Sequence, residues 1–426
     1  MGAKTEKWAL LATAAAVLLA AGCGDDGGEG SDSAGGGGAP LAEEWRTKAV
    51  AHEPEDVWLP PLWVTGDRVV GISTEGVTGH DAKTGKPAWE LAPPPGAGQP
   101  CAASPAVNAG GVGAVLFGPA DAKPGDDSCA VLAVVDTTSG KLLWSKDLTS
   151  GDSAYPSADV VPVSVGEETV TVELIEDGLH RFSLDGEELP TPEVTVGEQC
   201  DDFYTDWRHS ATSLVAVVDC PDLTGAENHI AAYDAASGEE LWTAADFTDE
   251  DQPARVEILT DEPLTVATQE RLVSFGEDGK VLTDLPLKRP DGYLHLDPGD
   301  FTIRDSVLVT SYDDATNDYV GIDLTTGKEL WKKEFDFAPH PLAPGGGSGG
   351  ELVALRDGMI EGENAMGEYL ALWDARKGGE PATAGMLPEN AGSAQAVASS
   401  EDGGVVYVLA EPEVGEEALR IEAYRR

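Results

Sequence analysis

Asp323-Leu324-Thr325-Thr326-Gly327-Lys328-Glu329-Leu330-Trp331 decides the fold, because the chain writes nearly the same nine residues four times. The other copies are Asp81-Ala82-Lys83-Thr84-Gly85-Lys86-Pro87-Ala88-Trp89, Asp136-Thr137-Thr138-Ser139-Gly140-Lys141-Leu142-Leu143-Trp144 and Asp234-Ala235-Ala236-Ser237-Gly238-Glu239-Glu240-Leu241-Trp242. Self-similarity at a spacing of tens of residues means one supersecondary unit repeated, with neighbouring units burying a shared core.

Each part of the motif has a mechanical role. A short apolar run precedes the Asp (Val131–Val135, Ile230–Tyr233, Tyr319–Ile322) and reads as a buried strand. The Asp carboxylate accepts N–H bonds from the turn ahead, and Gly supplies the positive φ that reverses the chain. Strand resumes, and Trp four residues after Gly falls at one place on the pleat every time. An indole buries roughly 150–250 Å². Placed once per unit, it is expected to wedge neighbouring sheets together, not to stack on a cofactor.

Degenerate copies fill the gaps: Ser183–Leu189 and Phe275–Val281 keep the turn and lose the Trp, and Trp373–Gly378 is a late variant. The turn glycines are then Gly85, Gly140, Gly186, Gly238, Gly279, Gly327 and Gly378, spaced about 49 residues apart. That period fits a four-stranded propeller blade. The last strand, Leu419–Tyr424, lacks a hairpin partner, while Glu44–Val50 looks like an orphan post-turn strand with its own Trp45. Pairing the two closes the ring and removes exposed sheet edges. The expected fold is all-β, an eight-bladed propeller over residues 41–426 closed by its terminal strands, with seven blades as the alternative.

The opening residues belong to export. Lys4 and Lys7 precede a 14-residue apolar run, Trp8–Ala21, too short to span a bilayer and suited to a signal-peptide core. It ends in Leu19-Ala20-Ala21-Gly22-Cys23, which resembles a bacterial lipobox, so residues 1–22 read as a lipoprotein signal and Cys23 as the lipidated residue. An ordinary cleaved signal is the alternative. Residues 23–40, rich in Gly, Ser and Asp, read as a flexible tether that holds the body about 20–25 Å from its anchor. Four further cysteines remain in an exported chain, and the preferred pairs are Cys101–Cys129 and Cys200–Cys220, each within one expected blade.

With 77 acidic against 27 basic residues the formal net charge is −50, which excludes nucleic-acid binding and disfavours close adsorption to an anionic membrane. The densest local cluster, Asp313-Asp314-Ala315-Thr316-Asn317-Asp318, is a weak Ca²⁺ candidate through Asp313, Asp314, Asn317 and Asp318. Its spacing matches no complete Ca²⁺ loop, and a solvated hairpin tip is the plainer reading. No catalytic residue is assigned. Gly346-Gly347-Ser348-Gly349-Gly350 lacks the strand-then-helix setting of a nucleophile elbow. Thr84-Gly85-Lys86 and Ser139-Gly140-Lys141 lack the rest of a phosphate-binding loop, and the seven His make no metal motif.

The Asp-x-x-Thr/Ser-Gly-x-x-x-Trp units resemble the repeats of the pyrroloquinoline quinone (PQQ)-like β-propeller superfamily. Within it, a lipobox, a linker and a single eight-bladed ring resemble the BamB family of lipoprotein scaffolds. Dehydrogenases of that superfamily carry an adjacent Cys-Cys disulfide against the cofactor, and no two Cys are adjacent here. No cofactor is therefore expected: PQQ least of all, with Ca²⁺ left open. The resemblance implies the architecture, and the function expected of it is that of a non-enzymatic, lipid-anchored, monomeric scaffold on the outer side of the cell membrane, binding another cell-envelope protein. Its interaction loops are expected around Ala92–Pro100, Pro119–Ser128, Asp246–Pro253 and Pro341–Gly350. The alternatives are a channel that binds a small ligand or quinone, and a Ca²⁺-stabilised structural protein.

Overall fold

The structure, a computed structural model, describes residues 40–51, 60–121, 129–148, 163–174, 178–194, 204–219, 229–245, 256–268, 270–290, 292–296, 301–312, 315–335, 339–344, 351–359, 366–379, 381–388, 391–400, 402–412 and 418–426. Every regular element among them is a strand. The strands fall in chain order into seven four-stranded antiparallel sheets over residues 63–91, 97–147, 163–189, 204–245, 257–286, 302–334 and 339–386. An eighth sheet combines Ser393–Ser399, Val405–Glu411 and Ala418–Arg425 with the N-terminal strand Ala42–Arg46. The fold is an eight-bladed β-propeller, each blade a simple meander. First strands lie against one another between blades two and three, four and five, six and seven, and seven and eight, and Ser393–Ser399 of blade eight also meets Trp63–Thr65 of blade one, which completes the ring.

Closure follows the expected pairing of the two ends. Ala42, Glu43, Trp45 and Arg46 register with Arg425, Tyr424, Ala423 and Glu422. The N-terminal strand starts two residues earlier than its sequence suggests and breaks after Arg46. There Thr47 N–H donates to Ile421 O (2.8 Å) and Ile421 N–H to Thr47 Oγ1 (2.9 Å), before Val50–Ala51 pairs again. Just upstream, Leu41 is buried among Val353, Leu355, Leu370, Val406 and Val408 of blades seven and eight, and its N–H donates to Met386 O (2.7 Å).

The repeat does locally what its residues dictate. Asp81 Oδ1 accepts Thr84 N–H (2.9 Å) and Lys83 N–H (3.2 Å), and Asp136 Oδ1 accepts Thr138 N–H (2.9 Å) and Ser139 N–H (3.2 Å). Asp234 binds Ser237 N–H and Asp323 binds Thr325 and Thr326 N–H in the same way. Beyond the turn, one extra residue in the outer strand forms a β-bulge just before the Trp position. Trp144 faces Val134 while Leu142 faces Val135, and the register shifts likewise beside Trp45, Trp89, Trp242 and Trp331. A bulge bends and twists the strand. Here it turns the indole toward the next blade and leaves Leu143, Leu241 and Leu330 exposed on the rim.

Each indole lies over the turn glycine of the following blade. A Cβ on Gly140 would sit 2.3 Å from Trp89 Cδ2, and one on Gly378 2.3 Å from Trp331 Cγ, so only glycine fits. The same contact joins Trp45 to Gly85, Trp144 to Gly186 and Trp242 to Gly279. Four of these indoles also donate to the carbonyl one residue after the Asp position: Trp45 to Ala82 (2.9 Å), Trp89 to Thr137 (3.2 Å), Trp144 to Leu184 (2.8 Å) and Trp331 to Ala375 (2.6 Å). The expectation that Trp wedges adjacent sheets describes these five junctions. Blade three departs from it. Pro190 stands where its Trp would be, and without an N–H it cannot extend the outer strand beyond Glu188–Leu189. Arg181 from the neighbouring strand reaches Gly238 instead and donates to Ala235 O (2.7 Å), the equivalent carbonyl.

Trp331→Ala should destabilise the protein by about 3 kcal/mol, and Gly378→Ala by about 1 kcal/mol from its φ of +59° plus the clash with the indole. Chemical denaturation of the double variant should show non-additivity, because removing the indole removes the clash. Trp331→Ala combined with Gly85→Ala, at a distant junction, should be additive within about 0.5 kcal/mol.

Candidate interaction face

A meander alternates the ends at which its strands connect. In every blade the first-to-second and third-to-fourth connections therefore share one face of the ring. The second-to-third connections and the links to the next blade share the other. The Asp–Gly turns all lie on the first, the turn face. Of the expected interaction loops, Ala92–Pro100, Pro119–Ser128 and Asp246–Pro253 join strand ends on the second, the open face. Pro341–Gly350 joins strand ends on the turn face, and its start belongs to the strand Pro339–Pro344. Likewise Ala97–Pro100 opens the strand Ala97–Ala103 instead of continuing a loop.

The turn face is stitched by polar bonds from blade to blade. Asn108 Nδ2 donates to Gly166 O (2.9 Å), Ser306 Oγ to Glu262 O (3.3 Å), and Arg376 to Asp323 Oδ2 (3.0 Å) and Asp305 O (2.8 Å). Arg426 reaches Glu351 (2.6 Å). Between blades three and five the stitch runs through inner-strand ends. Ser164 Oγ donates to Ser210 O (2.8 Å) and lies 2.7 Å from His209 Nδ1, and Ser210 Oγ donates to Asp261. Because the Ser164 proton is committed to Ser210, Nδ1 carries the histidine proton and donates to Ser164. Burial, followed by the nearby Arg208 charge, drives the His209 pKa down to about 3. The turn carboxylates are low for other reasons: bonds from the Thr84 hydroxyl and amide hold Asp81 down, and the Ser237 amide does so for Asp234. For Asp136, bonds from Ser139 and Thr138 outweigh an opposing desolvation.

Other expected site residues are placed as follows. Cys101 and Cys129 are joined within blade two, S–S 2.05 Å and Cα–Cα 6.0 Å. Cys23, Cys200 and Cys220 lie outside the described residues, as do residues 1–39 of the signal and tether. Asp313 and Asp314 lie outside them as well, while Asn317 and Asp318 belong to the strand Ala315–Asp323 and not to a hairpin tip. Asp318 is engaged by Lys332 Nζ (2.9 Å). Among the described residues no group of three His, Cys, Asp or Glu is arranged to hold a metal ion, and no helix is long and apolar enough to cross a membrane. Two buried charges went unread in the sequence. Arg181 is one, and Glu422 of blade eight is the other, fully buried and bonded by Arg420, the Tyr424 hydroxyl and Gly392 N–H. Neither belongs to the repeated motif, so the repeat carried no signal for them.

These features define a propeller of PQQ-like repeats whose rigid turn face supports an open face of longer connections. The family model described as outer membrane protein assembly factor BamB matches residues 129–378, more than half of the chain, and the chain belongs to that family. Similar solved structures include BamB from Moraxella catarrhalis, at 14% identity and TM-score 0.45, over 90% of this chain and 100% of that one. A chain of a mitotic checkpoint complex follows at 11% and 0.44, over 97% and 99%. The Cps50 (Swd1) β-propeller domain of Myceliophteria thermophila stands at 11% and 0.44, over 91% and 100%. A comparison with curated proteins found no match.

His209 supplies a pH prediction. Its folded pKa is depressed from 6.5 to about 3. Between those values the unfolded chain binds a proton that the folded one does not, so stability is full above pH 6.5 and falls as pH drops through the window. The limiting slope is about 1.4 kcal/mol per pH unit. Thermal unfolding between pH 6.5 and 5, before most carboxylates titrate, should show a falling midpoint that His209→Gln flattens.

Proposed function

We propose that the protein is a non-catalytic scaffold, anchored through lipid on Cys23 outside the cytoplasm, whose open face binds a basic segment of another cell-envelope protein. The observation that carries this reading is a charge asymmetry. Connections joining strand ends on the open face contain 34 acidic and 5 basic residues, against 13 and 5 on the turn face. Long connections on a rigid support are where binding residues concentrate. A face of one sign steers an oppositely charged partner and rejects like-charged ones. The family's description as outer membrane protein assembly factors supports a role in holding other envelope proteins. The sequence Leu19-Ala20-Ala21-Gly22-Cys23 followed by a Gly-rich stretch supports the anchor. The −50 net charge supports a body held off the anionic bilayer by its tether.

Two experiments test this. Cross-linking of the full-length protein in its native membranes should capture the same partner repeatedly. Capture should weaken when salt rises from about 0.05 to 0.5 M, where the screening length drops below about 5 Å. No reproducible partner, or capture indifferent to salt, contradicts the proposal. Separately, Cys23→Ser should move the protein from the membrane to the soluble fraction, and retention on the membrane would refute the lipid anchor.

A further inference from the structure

The blade junctions are not chemically alike. Five are closed by an indole over a glycine turn. The junction of blades five and six is closed by hydrocarbon, with the hairpin Lys288–Arg289/Gly292–Tyr293 lending Leu287 and Leu294 to a cluster of Leu272, Leu308, Val320 and Ile322. Blades seven and eight enclose Leu41 among Leu, Val and Tyr side chains. Blades three and four do share an apolar cluster of Leu179, Trp207, Leu214, Ala216 and Val218, but polar groups run beside it.

Arg181 is 1% exposed, and its positive charge is met by three carbonyl oxygens, those of Pro190 (2.6 Å), Ala235 (2.7 Å) and Ala236 (3.1 Å). Thr169 Oγ1 donates to Ala235 O (3.3 Å), Ser164 meets His209, and a Glu173–Arg208 ion pair (3.1 Å) spans the same junction. Three atoms buried here have no hydrogen-bond partner among the described residues: Arg181 Nε, His209 Nε2 and Tyr233 Oη, on residues 1%, 6% and 1% exposed.

Unpaired buried polar atoms give up their hydration without compensation, and they recover it as soon as water reaches them. Among the described residues the other junctions hold fewer such atoms, Trp373 Nε1 between blades six and seven and Thr283 Oγ1 between five and six. Parting an indole-closed junction exposes mainly hydrocarbon, which the hydrophobic effect opposes throughout. We infer that the ring parts first between blades three and four, admitting water to Arg181, His209 and Tyr233, and that the non-covalent N-terminal closure outlasts this junction. The polar junction is a built-in opening point, by which the ring can widen without releasing its terminal strand.

The test places one cysteine reporter at a time in the full chain. Ala216→Cys reports on blades three and four, Ala114→Cys on two and three, Ala232→Cys on four and five, Ala371→Cys on six and seven, Ala410→Cys on seven and eight, and Ala423→Cys on the closure. All six alanines are at most 1% exposed. Labelling with a small thiol reagent under native conditions, followed peptide by peptide with mass spectrometry, reads how often each junction opens. The Ala216→Cys thiol should react at least about threefold faster than every other reporter, as expected of a locally less stable unit. Ala231→Cys, in the same junction, should repeat the result and guards against a local effect of one substitution. A smaller ratio, or a faster rate at Ala423→Cys or any other junction, overturns the inference.

Discussion

An indole laid over the next blade's glycine turn is the contact on which the ring depends. A blade has a hydrophobic face that it cannot bury alone, and the Trp on its outer strand extends that face to the neighbour's backbone. The N–H of Trp45, Trp89, Trp144 and Trp331 fixes the register by finding one carbonyl in the adjacent turn. Glycine is demanded twice over, for its backbone angle and for the space the indole fills. The Asp carboxylate holds the turn in the shape that presents that carbonyl. One nine-residue motif thus builds both halves of a junction, the clasp of one blade and the seat for the clasp before it.

This is why so much of the fold was legible. Motif residues recur because each junction imposes the same geometry, so spacing alone gave blade length, and the unpaired ends gave closure. The eight sheets and the pairing of Trp45 with Ala423 follow that logic. Legibility failed where a junction is solved by other means. Arg181 replaces an indole from a different strand, at a different distance from the turn, so no repeat offset points to it. Glu422 is buried by neighbours brought close only in three dimensions. The loops expected at Ala92–Pro100 and Pro341–Gly350 overlap the strands Ala97–Ala103 and Pro339–Pro344, because proline and glycine punctuate those strands and tertiary pairing overrides the local signal.

Function was less legible because it does not repeat. The Asp–Gly face is occupied with structure, its carboxylates drawn into turn amides and its inner rim cross-bonded from blade to blade. Under the proposed reading recognition falls to the opposite face, where connections vary in length and share mainly their acidity. Composition carries the acidic excess, and topology adds the side of the ring on which most of the acidic connections lie. The polar junction between blades three and four breaks the ring's regularity on a different axis, in how firmly neighbours are held.

Deleting the residues that supply the last strand probes the indole clasp itself. Chains lacking residues 1–39 and chains lacking residues 1–46 would be compared by calorimetry. The shorter deletion should leave the unfolding midpoint unchanged. The longer one, which removes Leu41 and Trp45, should lower it by several degrees and broaden the transition as blades eight and one lose their clasp. Equal midpoints for the two chains would contradict the clasp's role.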